Sequence, residues 1–244
     1  MLRVHVGGIH TADVDLTPLV KQRHPPALSS AELLGPAGPF VNAVPGFQPR
    51  ASQQEMAARI EVALAERGVF VGESGTGTGK TFAYLVPALS SGRKVLLSTG
   101  TKNLQDQIFE RDLPLVRDVL GIPVSAALLK GRANYLCLYR LERADLERRL
   151  PGRHSAHDLA RVRAWARETR HGDLAEVSGV SEDAELWPLV TSTADNCLGS
   201  RCPDYHRCYV NRARREALDA DVVVVNHHLF FADLVLREIG RAHV

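Results

Sequence analysis

The chain has 244 residues, 45% of them hydrophobic, and a formal net charge of +2. This length suits one large domain or two small ones, and the near-neutral charge gives no bulk signal of a polyanionic partner. No segment has the order of a signal peptide, and no apolar run approaches the roughly 20 residues of a membrane span. The sequence therefore predicts a cytoplasmic protein with no membrane association. In that compartment its four cysteines are metal ligands or free thiols rather than disulfides.

Residues 1–46 carry the least regular pattern and are predicted to form a mobile lead-in. A possible short strand covers residues 3–6, and a short helix is expected near residues 30–34. Several Pro-Pro and Gly-Pro pairs between and after them interrupt any longer element.

Regular elements become clearer from residue 47 onward. Met56, Ile60 and Leu64 recur at helical spacing, and Gly68 is expected to end that helix. Short apolar runs that predict strands are residues 69–71, 94–97, 125–129 and 222–225. Strands that alternate with helices predict an α/β fold with a parallel, doubly wound sheet.

A glycine-rich turn between the first of these strands and a helical segment at residues 82–89 is typical of a phosphate-binding loop. Its glycines let successive N–H groups point at one anion, and the helix N-terminus adds partial positive charge. Lys80 and Thr81 are the predicted catalytic residues: Lys80 reaches the β- and γ-phosphates, and the Thr81 hydroxyl binds Mg²⁺. Ser74 stands where the usual motif has its first glycine. The loop residues predicted to bind nucleotide are Ser74, Gly75, Thr76, Gly77, Thr78, Gly79, Lys80 and Thr81.

The alternation of strands and helices stops between residues 132 and 219, which predicts an inserted, mainly helical subdomain. All four cysteines lie in this insertion, with three of them in one short hydrophilic loop. Four thiolates suit an iron–sulfur cluster or Zn²⁺. The uneven spacing without paired C-x2-C knuckles favours the cluster, while zinc and no metal stay open. The candidate ligands are Cys137, Cys197, Cys202 and Cys208.

Six motifs in order resemble the iron–sulfur DNA helicases of superfamily 2, the XPD/DinG class, and most closely its bacterial DinG-like branch. The resemblance covers about residue 44 to the C-terminus. The matching segments are residues 45–54, 73–81, 98–107, 129–137, the three-cysteine loop 196–208, and 222–229.

This resemblance implies a RecA-like motor domain over residues 47–131 and 220–244, and an iron–sulfur insertion over residues 132–219. It implies ATP, Mg²⁺ and a [4Fe–4S] cluster held by the four cysteines as cofactors. The implied adenine-reading residues are Arg50 and Gln53. The implied contacts to the DNA backbone are Ser98, Thr99, Thr101 and Gln105.

The implied activity is ATP-dependent, 5′-to-3′ unwinding of DNA in repair or replication by a cytoplasmic protein that acts as a monomer. The expected partner is DNA that is single-stranded or has a single-stranded tail. In the resembled family a strand ending in Asp-Glu-Ala-His and a second motor domain complete the ATPase. Neither pattern is found in these 244 residues, so the chain is expected to bind nucleotide without hydrolysing it. A non-hydrolysing nucleotide- and DNA-binding module and a zinc-binding phosphate-loop regulator are the alternatives.

Overall fold

The computed structural model describes residues 4–5, 28–147 and 155–232. The chain forms two compact units: one contains the chain up to Leu128 and from Ala220 onward, and the other contains Leu129–Asp219. Of the expected lead-in at residues 1–46, residues 1–27 lie outside the described residues except for one two-residue strand. Within the described part of the chain, no helix is both long enough and apolar enough to cross a membrane.

A three-stranded sheet forms the centre of the first unit, in the order β3-β5-β4. β3 and β5 pair in parallel, with Val95 opposite Val222 and Thr99 opposite Asn226. Residues 222–225 are four consecutive buried valines, as expected of a strand covered on both faces. The predicted α/β class with a parallel sheet flanked by helices is therefore confirmed. The strands are β1 (Val4–His5), β2 (Phe70–Val71), β3 (Val95–Thr99), β4 (Ala126–Leu129) and β5 (Val222–Asn226).

The strand before the glycine-rich turn differs from the expectation of one continuous sheet. Among the described residues, β2 pairs in parallel with β1 in a separate two-stranded sheet. Val69 and Val71 are strongly exposed, at 68% and 78%. An apolar run predicts a strand, but it does not determine the partner, because pairing depends on residues distant in sequence.

Helices cover this sheet, and the buried apolar residues of the unit form more than one cluster. α3 packs along α4 with Met56, Ile60 and Leu64 buried, as the helical spacing predicts. α3 ends where Arg67 takes a left-handed backbone with φ of 56°, one residue before the predicted Gly68. A five-residue π-helical turn, Ile108–Asp112, joins α5 to α6. The helices of this unit are α1 (Ser30–Leu33), α2 (Phe40–Ala43), α3 (Ala51–Glu66), α4 (Lys80–Ser90), α5 (Lys102–Gln107) and α6 (Leu113–Leu120).

Residues 30–43 differ from the predicted lead-in because they belong to the core of the first unit. α1 begins with a capping box in which Ser29 and Glu32 bond each other's backbone N–H groups. Leu34 and Phe40 are fully buried, and both belong to the core cluster that also contains Val224. The short helix near residues 30–34 is confirmed, and its apolar side chains bind it to the first unit.

The second unit has its own apolar core and is mainly helical. Leu136, Val162, Leu186 and Val190 lie at its centre and are almost completely buried. The ammonium group of Lys130 lies 2.7 Å from the Asp173 carboxylate, and both side chains are largely buried. The helices of this unit are α7 (Leu138–Glu147), α8 (Ser155–Ala166), α9 (Trp187–Val190) and α10 (Tyr209–Asp219).

Candidate nucleotide and cysteine sites

The glycine-rich turn links β2 to α4, as a phosphate-binding loop requires. Gly77 and Gly79 have φ of +74° and +82°, a region that residues with a Cβ rarely adopt. α4 begins at Lys80, so the N–H groups of its first turn face the loop. The backbone is therefore curled at the helix N-terminus, where an anion gains the most from the helix dipole.

The Lys80 side chain lies inside this curl. Its ammonium group donates to the carbonyl oxygens of Ser74, at 2.7 Å, and Gly75, at 2.5 Å. A lysine ammonium has three protons, so these two bonds fix its position and leave a third proton for a phosphate oxygen. The Ser74 and Thr78 hydroxyl oxygens lie 2.6 Å apart across the same curl.

Two side chains near the start of α3 contact the carbonyl groups of the loop. The Arg50 guanidinium donates to the Gly77 carbonyl at 2.6 Å, and the Gln53 amide donates to the Gly79 carbonyl at 2.9 Å. Gln53 is only 4% exposed, and its Oε1 is buried with no hydrogen-bond partner among the described residues. Because a buried amide oxygen without a partner is costly, this atom is suited to accept a hydrogen bond from a ligand.

Thr81, the predicted Mg²⁺ ligand, stands one residue after Lys80 in the first turn of α4. Burial raises the pKa of the Tyr84 hydroxyl to about 12. A hydrogen bond with the Thr81 side chain lowers this pKa, and the Asp112 carboxylate raises it. Tyr84 is therefore a neutral phenol at physiological pH. No role was predicted for Tyr84 from sequence patterns, because a tyrosine three residues after the loop is typical of an ordinary helix.

The residues predicted to contact DNA lie at the carboxyl end of β3 and in α5, and they divide into two groups. The Ser98 hydroxyl lies 2.6 Å from Nδ1 of His227, which follows the neighbouring strand β5. Thr101 is exposed at the N-cap of α5, where its hydroxyl accepts from the Leu104 N–H. These two residues lie on or near the surface.

The other two predicted DNA contacts are buried, which differs from the expectation. Thr99 is 5% exposed and its hydroxyl donates to the Thr101 carbonyl. Gln105 is fully buried and its amide donates to the Val224 carbonyl. Gln105 therefore fastens α5 to β5 from inside the unit, and Thr99 stabilises the turn that precedes α5.

All four cysteines of the second unit line one cavity of about 240 Å³. Each is a free thiol of intermediate burial. Cys197 receives two N–H groups: the Arg132 guanidinium at 3.0 Å and the Gly199 backbone N–H at 3.4 Å. Burial raises the pKa of the Cys137 thiol, and the three other cysteine sulfurs raise it further. Arg140 and Arg214 also line the cavity.

The residue types that line this cavity suit a thiolate-ligated group, although the described side chains are not arranged as a metal site. The N–H donors on Cys197 and the nearby guanidinium groups favour negatively charged sulfur. Among the described residues, no set of three or more His, Cys, Asp or Glu side chains is arranged to hold a metal ion. Arg132 belongs to the motif at residues 129–137, but its hydrogen bond to Cys197 was not predictable from the sequence.

Comparisons with known proteins relate the chain to DNA helicases. Residues 50–169 match the DEAD/DEAH box helicase family model. The chain is 51% identical over 205 residues to the ATP-dependent DNA helicase YoaA of Escherichia coli, covering 84% of this chain and 32% of that protein. It is 41% identical over 209 residues to the ATP-dependent helicase DinG of Mycobacterium tuberculosis, covering 76% and 31%. It is 35% identical over 194 residues to the 3'-5' exonuclease DinG of Bacillus subtilis, covering 78% and 21%.

The chain thus spans a third or less of the length of these curated relatives. The resemblance noted from the sequence motifs is confirmed on the N-terminal portion of those proteins. The chain therefore carries a DEAD/DEAH box helicase domain and is related to the N-terminal part of the YoaA and DinG proteins.

Proposed function

We propose that this chain forms the nucleotide-binding part of an ATP-dependent, 5′-to-3′ DNA helicase of the DinG type that acts as a monomer in cytoplasmic DNA repair or replication. The observation that carries the proposal is the position of Lys80. Its ammonium group is held on two loop carbonyls at the N-terminus of α4, directly after a turn in which Gly77 and Gly79 have positive φ. An arrangement of this kind suits the phosphates of a nucleotide.

Different residues around the loop bind different parts of the nucleotide. Gln53 has a buried amide oxygen that finds no partner in the part of the chain that the structure describes, so it accepts from the adenine amino group. The loop N–H groups and Lys80 bind the phosphates. The Thr81 hydroxyl binds the Mg²⁺ that accompanies ATP. Arg50 supports the curl of the loop through the Gly77 carbonyl.

The second unit is proposed to hold a [4Fe–4S] cluster on Cys137, Cys197, Cys202 and Cys208. Support comes from the single cavity that all four line and from the N–H donors on Cys197. A bound cluster would cross-link distant segments of this unit and supply a redox-active centre. Arg132 would stabilise the Cys197 thiolate by a charge-assisted hydrogen bond.

DNA is proposed to bind the first unit near the N-terminal end of α5, as a single strand or a single-stranded tail. Ser98 and Thr101 provide hydroxyl groups there, and the neighbouring Lys102 is exposed. These groups suit phosphate contacts that do not read the base sequence. We expect the affinity to fall steeply as salt concentration rises, because binding releases counterions from the phosphates.

Titration calorimetry with Mg²⁺ and ATP tests the proposed function. Lys80→Ala is expected to weaken ATP binding by roughly 1.5–3 kcal/mol, the scale of a hydrogen bond to a charged group. Lys94→Ala is the matched control, because Lys94 is an exposed lysine just before β3 and outside the loop. Equal ATP affinity in the parent and Lys80→Ala would refute the nucleotide site.

A further inference from the structure

We propose that Ser74 and Thr78 form a side-chain clasp across the phosphate loop that aims Lys80 at the β-phosphate of the nucleotide. The inference rests on the proposed nucleotide site and assigns positioning roles within it. Ser74 is the residue at which this loop departs from the usual glycine, so the clasp uses a hydroxyl group that glycine lacks.

The single proton of the Thr78 hydroxyl determines which residue donates in the Ser74–Thr78 hydrogen bond. The Thr78 hydroxyl donates its single proton to the Gly75 carbonyl at 2.9 Å. It therefore accepts, rather than donates, in its 2.6 Å contact with the Ser74 hydroxyl. Ser74 is the donor, and one continuous chain of hydrogen bonds runs from Ser74 through Thr78 to the Gly75 carbonyl.

The lysine is held by Ser74, which the clasp joins to Thr78, and by Gly75, on whose carbonyl the clasp ends. The Ser74 and Gly75 carbonyl oxygens are the two acceptors of the Lys80 ammonium. The Ser74 hydroxyl is bound to Thr78, and the Gly75 carbonyl accepts from Thr78. Any rotation of the backbone at residues 74–75 that releases Lys80 therefore also breaks the clasp.

The backbone beside Thr78 needs such a restraint. Thr78 stands between Gly77 and Gly79, both at positive φ, and glycine has more conformational freedom than any other residue. A Cβ built at Gly77 would meet no atom of the described residues within 4 Å, so the Arg50 hydrogen bond to the Gly77 carbonyl, and not packing, holds the loop there. Gly79 is held on its other side by the Gln53 amide. The Ser74–Thr78 bond supplies the restraint on the open side.

The clasp should act only on ligands that reach Lys80. A diphosphate or triphosphate places its β-phosphate at the loop, whereas AMP and adenosine depend mainly on the adenine contacts near Gln53. Loss of the clasp therefore lowers affinity for ADP and leaves AMP affinity unchanged. General loss of structure would weaken both ligands.

Equilibrium binding of ADP and AMP to the full chain and its variants tests the clasp. Ser74→Ala and Thr78→Val should each weaken ADP binding by roughly three- to tenfold, the range for one neutral hydrogen bond. The double variant should bind ADP as Thr78→Val alone does, because the two groups share one interaction. Ser74→Thr, which keeps the hydroxyl, should retain the parent affinity.

Three results would overturn the inference. The first is an unchanged ADP affinity in Ser74→Ala, and the second is a double variant whose loss of ADP affinity equals the product of the two single losses. The third is an equal loss of AMP and ADP affinity in a variant whose thermal unfolding temperature equals that of the parent. If the parent chain binds no ADP, the proposed nucleotide site fails and the clasp fails with it. If the parent binds ADP and Lys80→Ala does not, the site stands and the clasp is judged on its own variants.

Discussion

The Gln53 side-chain amide donates a hydrogen bond to the Gly79 carbonyl at 2.9 Å, across 26 positions of sequence. The two atoms join the first turn of α3 to the last residue of the phosphate loop. Two features favour glycine at position 79: its φ is +82°, and a Cβ there would clash with Gln53 Nε2. The residue assigned to the base and the loop assigned to the phosphates are therefore in direct contact.

Gln53→Ala is expected to reduce the preference for ATP over GTP. An amide both donates and accepts, which matches the adenine edge, and its buried Oε1 has no protein partner in the described residues. Losing one such hydrogen bond changes relative affinity by roughly tenfold. Competition binding with ATP and GTP measures it, with Gln54→Ala as the neighbouring control. An unchanged ATP-to-GTP ratio would remove Gln53 from base recognition.

Serine substitution of Cys197, Cys202 or Cys208 is expected to bleach a brown colour from protein purified without oxygen. Serine is a harder ligand that matches iron poorly, so cluster absorbance and bound iron should fall together. Elemental analysis of the parent should find about four irons per chain. His206→Ala is the control, because His206 belongs to the same loop but does not line the cysteine cavity. Stoichiometric zinc without iron would contradict the cluster.

Alkaline pH should destabilise the first unit partly through Tyr84. Folding raises the pKa of this phenol from 10.0 to about 12, mainly by burial. A raised pKa means that its contribution to stability is complete below pH 10 and is lost as the pH rises from 10 to about 12. Tyr84→Phe should therefore lose less stability than the parent over this range in denaturant titrations. Burial also raises the pKa of Tyr135, so Tyr135→Phe separates the two contributions. Parallel stability curves for the parent and Tyr84→Phe would contradict the assignment.

Sequence patterns predicted the elements whose structure depends on residues close together in the chain. Four consecutive valines at 222–225 predicted a fully buried strand, and all four are buried. The spacing of Met56, Ile60 and Leu64 predicted the buried face of α3. The glycines around Lys80 predicted a curled loop because positive φ at Gly77 and Gly79 is a property of those residues themselves.

Features set by distant partners were not predictable from the sequence. Phe40 lies among proline and glycine residues that suggest a loop, yet it is fully buried. Gln105 stands in a polar motif typical of a surface, but its amide bonds the Val224 carbonyl inside the first unit. Each outcome depends on which segments pack together, and spacing along the chain does not reveal that.

The ion pair between Lys130 and Asp173 also joins residues that are distant in sequence. It predicts how substitutions change the stability of the second unit. Their charged groups lie 2.7 Å apart with 4% and 14% of each side chain exposed. Removing one member of a buried pair typically costs about 3–5 kcal/mol, because a desolvated charge loses its compensation. Asp173→Ala should therefore lower the free energy of unfolding by that order in urea titrations.

Two further variants separate the charge from the other role of Asp173. Its carboxylate also accepts a hydrogen bond from the Ala175 N–H at 3.1 Å, so Asp173→Ala loses a turn contact as well. Asp173→Asn keeps an acceptor for that N–H, and its remaining loss measures the effect of charge. The double variant Lys130→Met with Asp173→Leu removes both charges, and it should recover most of the lost stability because apolar pairs of similar volume often replace buried ion pairs. Asp173→Asn as stable as the parent would show that charge pairing contributes nothing there.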